Sequence, residues 1–344
     1  MDTPPHHASD GLPIRPEAPW LAPLAGYSDL PFRLLCRRLG AAVACTEMVS
    51  VRGLLYGTKA TMPLLATCAE DAPLVVQLFG AEPEEFTRAV DMLLPLGFTH
   101  FDLNAGCPVR KVLKSGSGSA LLKDPERIGN ILSAMVRSAG PGRVGVKIRL
   151  GFEPGQAVFT DVARRAEDAG AAWITLHPRW ARQMFTGQAH HLRLPELIQA
   201  TTLPVLASGD LFTAADGVRC LQETGVAGIM FARGALYDPG VFGRYLGLLE
   251  GRSRPDPSGP EVAALVRTHM ELVRAFDPGG FRKMRSIIPR YLRGLDGIKK
   301  LRTQLLACPD WESLDQVVEE IAALFPAPGS PAAEALQTRT DRFL

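Results

Sequence analysis

At about 150 residues per domain, 344 residues suggest two domains, and since an α/β barrel reaches about 250 residues as one unit, a large domain plus a small one is expected. A hydrophobic share of 46% beside 22% charged residues supplies a substantial core and excludes a disordered chain, a disulfide scaffold and a fibrous repeat. The net charge of +2 gives no sign by itself of a strongly basic nucleic-acid binder or an acidic tail.

In chain order, short apolar runs fall at Trp20–Leu24, Ala42–Thr46, Leu74–Phe79, His100–Leu103, Val144–Ile148, Trp173–Leu176, Pro204–Ala207 and Gly228–Phe231. Helical patterns lie between most of them, at Pro31–Leu39, Pro83–Leu94, Pro125–Ser138, Gln156–Ala169, Leu194–Ala200 and Ala214–Glu223. Strands joined by helical crossovers are parallel and covered on both faces. Eight of them in about 230 residues fit a closed (β/α)₈ TIM barrel. A doubly wound open sheet is disfavoured, because the first turn reads LAPLAGYSD and holds no G-x-G-x-x-G.

The chain therefore divides into a flexible N-terminus at 1–18, a barrel at 19–250, a Pro/Gly/Ser-rich linker at 251–260, a small all-α domain at 261–325 and a flexible tail at 326–344. The six cysteines form no C-x-x-C pair and no Cys/His cluster at metal-ligand spacing, so neither a metal nor a disulfide framework is expected. No leader pattern opens the chain and no apolar run approaches 18 residues, which points to a cytoplasmic protein with no membrane association, read as a monomer.

A barrel places its site at the carboxyl ends of the strands. There the sequence sets Pro23, Glu47, Gln77, Asn104, Cys107, Lys147, Arg149, His177, Arg179, Ser208-Gly209-Asp210 and Ala232-Arg233-Gly234. Glycine turns after the last two strands suit a phosphate, whose approach to backbone N–H groups a Cβ would block, and Arg233 adds a cation. Lys147 within the apolar GVKI must point to the rim and a ligand, because an unpaired interior ammonium is costly. Gln77 offers an amide suited to a heteroaromatic ring edge. Cys107 lies between Gly106 and Pro108, ahead of RKVLKSGSGSALL, a stretch read as too Gly/Ser-rich for helix and as a mobile lid. A thiol there can serve as acid or nucleophile.

These motifs resemble the bacterial tRNA-dihydrouridine synthases. The resemblance runs from about Trp20 to Leu306 through LAPLAGYSDLPFR, TEM, VVQLFG, DLNAGCPVRKV, GSALL, VKIRLG, the H-x-R-x-x-x-Q-x-F-x-G pattern from His177 to Gly187, and GIMFARGAL. It implies FMN at the barrel mouth, NADPH or NADH as reductant, and reduction of the C5=C6 bond of uridines in the tRNA D-loop. Carried over, Pro23, Gln77, Lys147 and His177 contact the isoalloxazine and ribityl parts. Ser208, Gly209, Asp210, Ala232, Arg233 and Gly234 surround the phosphate, Asn104, Arg149 and Arg179 meet the uracil, and Cys107 is the general acid. Two positions depart from the family: Ser208 stands where Asn is usual, and Trp180 stands where a smaller polar residue is common.

The tRNA side falls on residues 281–303. They hold Arg282, Lys283, Arg285, Arg290, Arg293, Lys299, Lys300 and Arg302 against a single acid, Asp296, a density suited to backbone phosphates. Arg110, Lys111 and Lys114 extend the basic surface. Two alternatives stay open on the residues alone: an FMN barrel acting on a free pyrimidine, as dihydroorotate dehydrogenases do, and a non-catalytic RNA-binding barrel.

Overall fold

The computed structural model describes residues 11–252, 258–293 and 298–324. Nine strands form one parallel sheet: β1 (Trp20–Leu21), β2 (Val43–Cys45), β3 (Val49–Ser50), β4 (Leu74–Phe79), β5 (His100–Ala105), β6 (Val144–Arg149), β7 (Trp173–His177), β8 (Val205–Ala207) and β9 (Gly228–Phe231). The order β2-β1-β9-β8-β7-β6-β5-β4 closes on itself through pairing of β2 with β4, giving the expected eight-stranded barrel. The two-residue β3 was not expected. It adds Val49 and Ser50 to Leu78 and Phe79 of β4, outside the closed ring.

Helices cover the outer face, and their starts follow the sequence. Pro125 opens the helix Pro125–Ala139 while the Asp124 carboxylate accepts from the Arg127 N–H. Thr213 and Asp216 form a reciprocal capping box at Ala214–Thr224.

Alternate strand residues point inward. At the amino ends of the strands Trp20, Val43, Val75, Trp173, Leu206 and Met230 form an apolar plug, with the Trp20 and Trp173 rings edge-on at 5.6 Å. Gly145 is dictated by this packing, since a Cβ there would lie 2.0 Å from the Trp173 ring. The N-terminal segment corrects an expectation. Residues 11–18 are not a loose tail: Leu12 and Ile14 pack on the plug and the Trp20 indole N–H donates to the Pro13 carbonyl at 2.9 Å. Apolar side chains over a barrel floor lose more by exposure to water than their backbone gains in freedom. Residues 1–10 lie outside the described residues.

The chain forms two compact units, one of Met1–Ala235 with Gly240–Gly251 and one of Leu236–Pro239 with Arg252–Leu344. In the second, helices Gly259–Phe276, Phe281–Tyr291, Ile298–Ala307 and Trp311–Leu324 bury Val266, Met270, Val273, Ile287, Ile288, Leu314, Val318 and Ile321. Its rim is tied by Arg267 to Glu319 and by Arg274 to Asp315, with Arg274 also over the Trp311 ring. The expected linker ends early. Ser258 and Glu261 form a capping box and the first helix begins at Gly259, so 258–260 belong to the helical unit. Residues 253–257, 294–297 and 325–344, which include part of the linker, Asp296 and the expected tail, lie outside the described residues. Among the described residues no helix is long and apolar enough to cross a membrane.

Candidate active site at the barrel mouth

Above the apolar plug the inward positions turn polar. Two-residue spacing carries Val75 to Gln77, Gly145 to Lys147 and Arg149, Trp173 to Thr175 and His177, and Leu206 to Ser208. The expected Gln77, Lys147, His177 and Ser208 therefore share one interior face, with Asn104 of β5 directly paired to Lys147 in register. Pro23 and Ala232, just beyond β1 and β9, are partly exposed.

Lys147 makes no hydrogen bond or ion pair among the described residues. Burial and the nearby Arg149 cation push its ammonium down to about 8, outweighing the opposite pull of Asp102. His177 has a defined tautomer. Arg179 can only donate, so its contact at 3.1 Å makes His177 Nε2 an acceptor and puts the ring proton on Nδ1. Burial, then Arg149 and Lys147, hold the imidazole well below its ordinary value, so it is neutral.

Arg179, expected at the substrate, is engaged by the protein itself. It is 1% exposed, and Nε, Nη1 and Nη2 donate to the Thr186 carbonyl, His177 Nε2, the Gly187 carbonyl and both Asp210 oxygens, at 2.6–3.3 Å. All five donors are occupied by the protein, and their product is a fixed loop at 178–190. Asp210 likewise faces cations, since it also accepts from Arg233 at 2.8 Å and from the Ala189 N–H at 2.7 Å. These partners hold Asp210 in the left-handed region at φ 51°. The preceding Gly209 is required at φ 98°, where a Cβ would come 2.4 Å from the His177 ring. Gly234 closes against the Leu211 and Phe212 carbonyls in the same way.

Arg149 is different. Its Nη1 donates to the Trp180 and Met184 carbonyls at 3.0 and 2.7 Å, and among the described residues Nε and Nη2 have no hydrogen-bond partner. Burial and the Arg179 cation bring it down to about 10, still charged at neutral pH. Trp180 is a packed loop residue, its ring edge-on to His190 at 5.0 Å.

Cys107 is half-buried beyond β5. Its backbone N–H donates to Asn104 Oδ1 at 2.9 Å, and its carbonyl accepts from the Ser119 N–H and hydroxyl at 3.0 and 3.1 Å. Burial outweighs the nearby Arg149 and Lys147 cations and raises the thiol above its ordinary value, so it is protonated at neutral pH. The segment that follows is not the irregular lid expected. It holds a one-turn helix, Arg110–Leu113, and a 3₁₀ segment, Gly118–Lys123, because buried Val112, Leu121 and Leu122 anchor it. Arg110, Lys111 and Lys114 are exposed on it. Asn104, expected at the uracil, has both amide hydrogens engaged, one on Gln77 Oε1 at 2.7 Å and one on Met48 Sδ at 2.9 Å.

Two residues at the mouth went unrecognised in the sequence. Asp102 accepts from Gln77 Nε2 at 2.7 Å, and burial raises its carboxyl to about 7. The available signal was its two-residue spacing from Asn104. Phe185, half-exposed, sits beside the Arg149 and Arg233 guanidiniums at 5.3 and 5.2 Å. Among the described residues no group of three or more His, Cys, Asp or Glu could hold a metal ion.

In the helical unit Arg282, Arg293, Lys300 and Arg302 are exposed, and Lys283 and Arg290 are partly so. Arg285 turns inward, donating to the Cys308 carbonyl at 2.8 Å and lying over Phe281, so it is not a free surface cation. Arg293 stacks on Tyr237 at 4.4 Å. The Lys299 side chain lies outside what is described.

A closed parallel barrel with an apolar floor and a cationic, thiol-bearing mouth defines a (β/α)₈ enzyme. The model of the family described as "Dihydrouridine synthase (Dus)" matches residues 20–325. The chain is 35% identical over 276 residues to tRNA-dihydrouridine synthase B of Xanthomonas campestris pv. campestris, covering 79% of this chain and 83% of that protein. It is 33% identical over 296 residues to tRNA-dihydrouridine synthase B of Pseudomonas aeruginosa (85% and 89% covered). It is also 33% identical over 340 residues to the probable tRNA-dihydrouridine synthase of Mycobacterium tuberculosis (92% and 87% covered). Among solved structures, histamine dehydrogenase of Rhizobium sp. 4-9 shares the fold, with a TM-score of 0.51 at 12% identity over 76% of this chain and 50% of that one. The chain belongs to the dihydrouridine synthase family and is an oxidoreductase.

Proposed function

We propose that this protein reduces the C5=C6 bond of uridines in the D-loop of tRNA to 5,6-dihydrouridine, using FMN with NADPH or NADH as reductant. The observation that carries the reading is Cys107: a thiol kept protonated by burial and fixed at the barrel mouth among cations, in a member of this family.

The mouth suits a flavin. Lys147 forms no ion pair among the described residues, His177 has a defined Nδ1–H, and Gly209 is held against the His177 ring by packing that a side chain would break. Pro23, Gln77, Lys147 and His177 would hold the ring and ribityl parts. Ser208, Gly209, Ala232, Arg233 and Gly234 would line the phosphate end. Asp210 acts there by orienting Arg233, since its own charge repels a phosphate. When bound, the flavin supplies the hydride that C6 receives.

The remaining chemistry belongs to the chain. Cys107 gives its proton to C5, so the acid is the thiol and not the thiolate. Lys147 stabilises the negative charge that builds on the C4 carbonyl during addition. Arg149, with Nε and Nη2 open, replaces Arg179 as the guanidinium that meets the uracil. The target base must leave its stack in the tRNA, at about a few kcal/mol, and Phe185 offers an exposed ring at the mouth.

In this reading residues 19–250 are catalytic and 261–325 bind tRNA through the cations of 282–302, with Arg110, Lys111 and Lys114 on the barrel adding phosphate contacts. The enzyme acts as a cytoplasmic monomer. The purified protein is expected to be yellow, to release FMN on denaturation, and to add two hydrogens per modified uridine to unmodified tRNA in the presence of NADPH. A colourless protein that takes up no FMN on reconstitution would refute the reading.

A further inference from the structure

Five residues at the mouth form a directional hydrogen-bond relay that ends at a carboxylate the reaction itself does not use. The relay starts at the backbone. The N–H groups of Gly106 and Cys107 donate to Asn104 Oδ1 at 3.2 and 2.9 Å. Backbone N–H groups can only donate, so the oxygen of the Asn104 amide must face the turn and its NH₂ must face away. That NH₂ donates to Gln77 at 2.7 Å, which forces the facing atom to be Oε1 and turns Gln77 Nε2 toward Asp102, again at 2.7 Å. The residue at 102 must therefore present an acceptor.

Asp102 is 2% exposed, Gln77 0% and Asn104 6%, so water does not compete for these bonds and each link constrains the next. The other carboxyl oxygen, Oδ1, makes no hydrogen bond within ordinary geometry, although the Trp173 indole N–H lies close enough to favour the charged carboxylate. Burial raises this carboxyl to about 7 against the pull of Gln77, Lys147 and Trp173, and Oδ2 is the atom that accepts from Gln77.

We propose that Asp102 is a positioning residue: through Gln77 and Asn104 it locks the Gly106–Cys107 turn and thereby the thiol that delivers the proton. Its consequence for catalysis rests on the function proposed above; its consequence for Cys107 does not. Without an acceptor at 102 the Gln77 amide is free to rotate, Asn104 keeps only Met48 Sδ to orient its NH₂, and the turn depends more heavily on Ser119.

The test is alkylation of Cys107 by iodoacetamide in the full-length purified protein, followed peptide by peptide by mass spectrometry, with partly exposed Cys68 as the internal control. Asp102→Ala is expected to speed alkylation of Cys107 at least threefold with Cys68 unchanged. Asp102→Asn, which keeps an oxygen for Gln77, is expected to stay within twofold of wild type. Gln77→Met breaks the relay one link further on with little change in volume and is expected to match Asp102→Ala, so it carries the test if the alanine variant does not fold. Wild-type Cys107 kinetics in Gln77→Met, or in a folded Asp102→Ala, would overturn the proposal. In turnover of the flavin-loaded protein, Asp102→Ala is expected to lower kcat for uridine reduction at least tenfold, a larger loss than in flavin reduction by NADPH, with KM for tRNA unchanged. An equal loss in Asp102→Asn, or a loss confined to KM, would also overturn it. Whether the wild type forms dihydrouridine judges the functional reading separately.

Discussion

Replacing Arg179 by alanine separates two roles for a residue whose motif points to substrate. The substitution removes five hydrogen bonds, leaving the Gly187 carbonyl and His177 Nε2 without this donor, Asp210 without its bidentate partner, and the Thr186 carbonyl with Gln183 Nε2 alone. Breaking a buried ion pair by deleting one member costs about 3–5 kcal/mol. Asp210 keeps Arg233 and the Ala189 N–H and is 19% exposed, so the lower end applies, about 3 kcal/mol, or roughly a 150-fold shift in the folding equilibrium. Urea unfolding should show a lower midpoint at an unchanged slope, and limited proteolysis should cut within 180–190 in the variant alone. Arg179→Lys should recover only part of the loss, because an ammonium cannot form the bidentate pair. A wild-type midpoint and an intact loop, with only uridine reduction lost, would refute the assignment and return Arg179 to the substrate.

Because burial raises the Cys107 thiol, its acid form persists through neutral pH and outlasts the Lys147 ammonium, which burial brings down to about 8; single-turnover uridine reduction should fall on the alkaline side as Lys147 loses its charge, and a rate that stays level well above that value would contradict the role given to Lys147. Asp71 holds Arg33 and Arg37 in a fully buried cluster behind the barrel, so Asp71→Ala should destabilise by about 3–5 kcal/mol in urea unfolding, and a loss below about 1 kcal/mol would show that the cluster is solvated. Replacing exposed Arg282, Lys300 and Arg302 together by alanine should weaken tRNA binding and reduce the slope of log K against log salt by about 2–3, at 0.7–0.9 per phosphate contact; an unchanged slope would remove these cations from the interface.

The barrel was legible because strands covered on both faces must be apolar throughout, and all eight runs stand out against polar helix faces. β3 was not, since two residues carry no period. The one-turn helix after Cys107 was hidden by the Gly/Ser content of 115–119, although Val112 already supplied its anchor. The rim positions followed from strand ends, so Gln77, Lys147, His177 and Cys107 could be named. What residue types could not show is which donors are already occupied. Arg149 and Arg179 look equivalent in sequence, yet one keeps two nitrogens open and the other none. Asp102 escaped for a related reason: its meaning lies in the atom it accepts from, one strand away.

The most direct test of the account is to count dihydrouridine by mass spectrometry in unmodified tRNA incubated with NADPH and either wild-type protein or Cys107→Ala, while following flavin absorbance in the same cuvette. The account predicts dihydrouridine with the wild type, and in the variant flavin that NADPH still reduces but that forms dihydrouridine at least 100-fold more slowly, within the roughly 10²–10⁴-fold contribution of a general acid. Equal dihydrouridine formation by the two proteins, or none with the wild type, would contradict it.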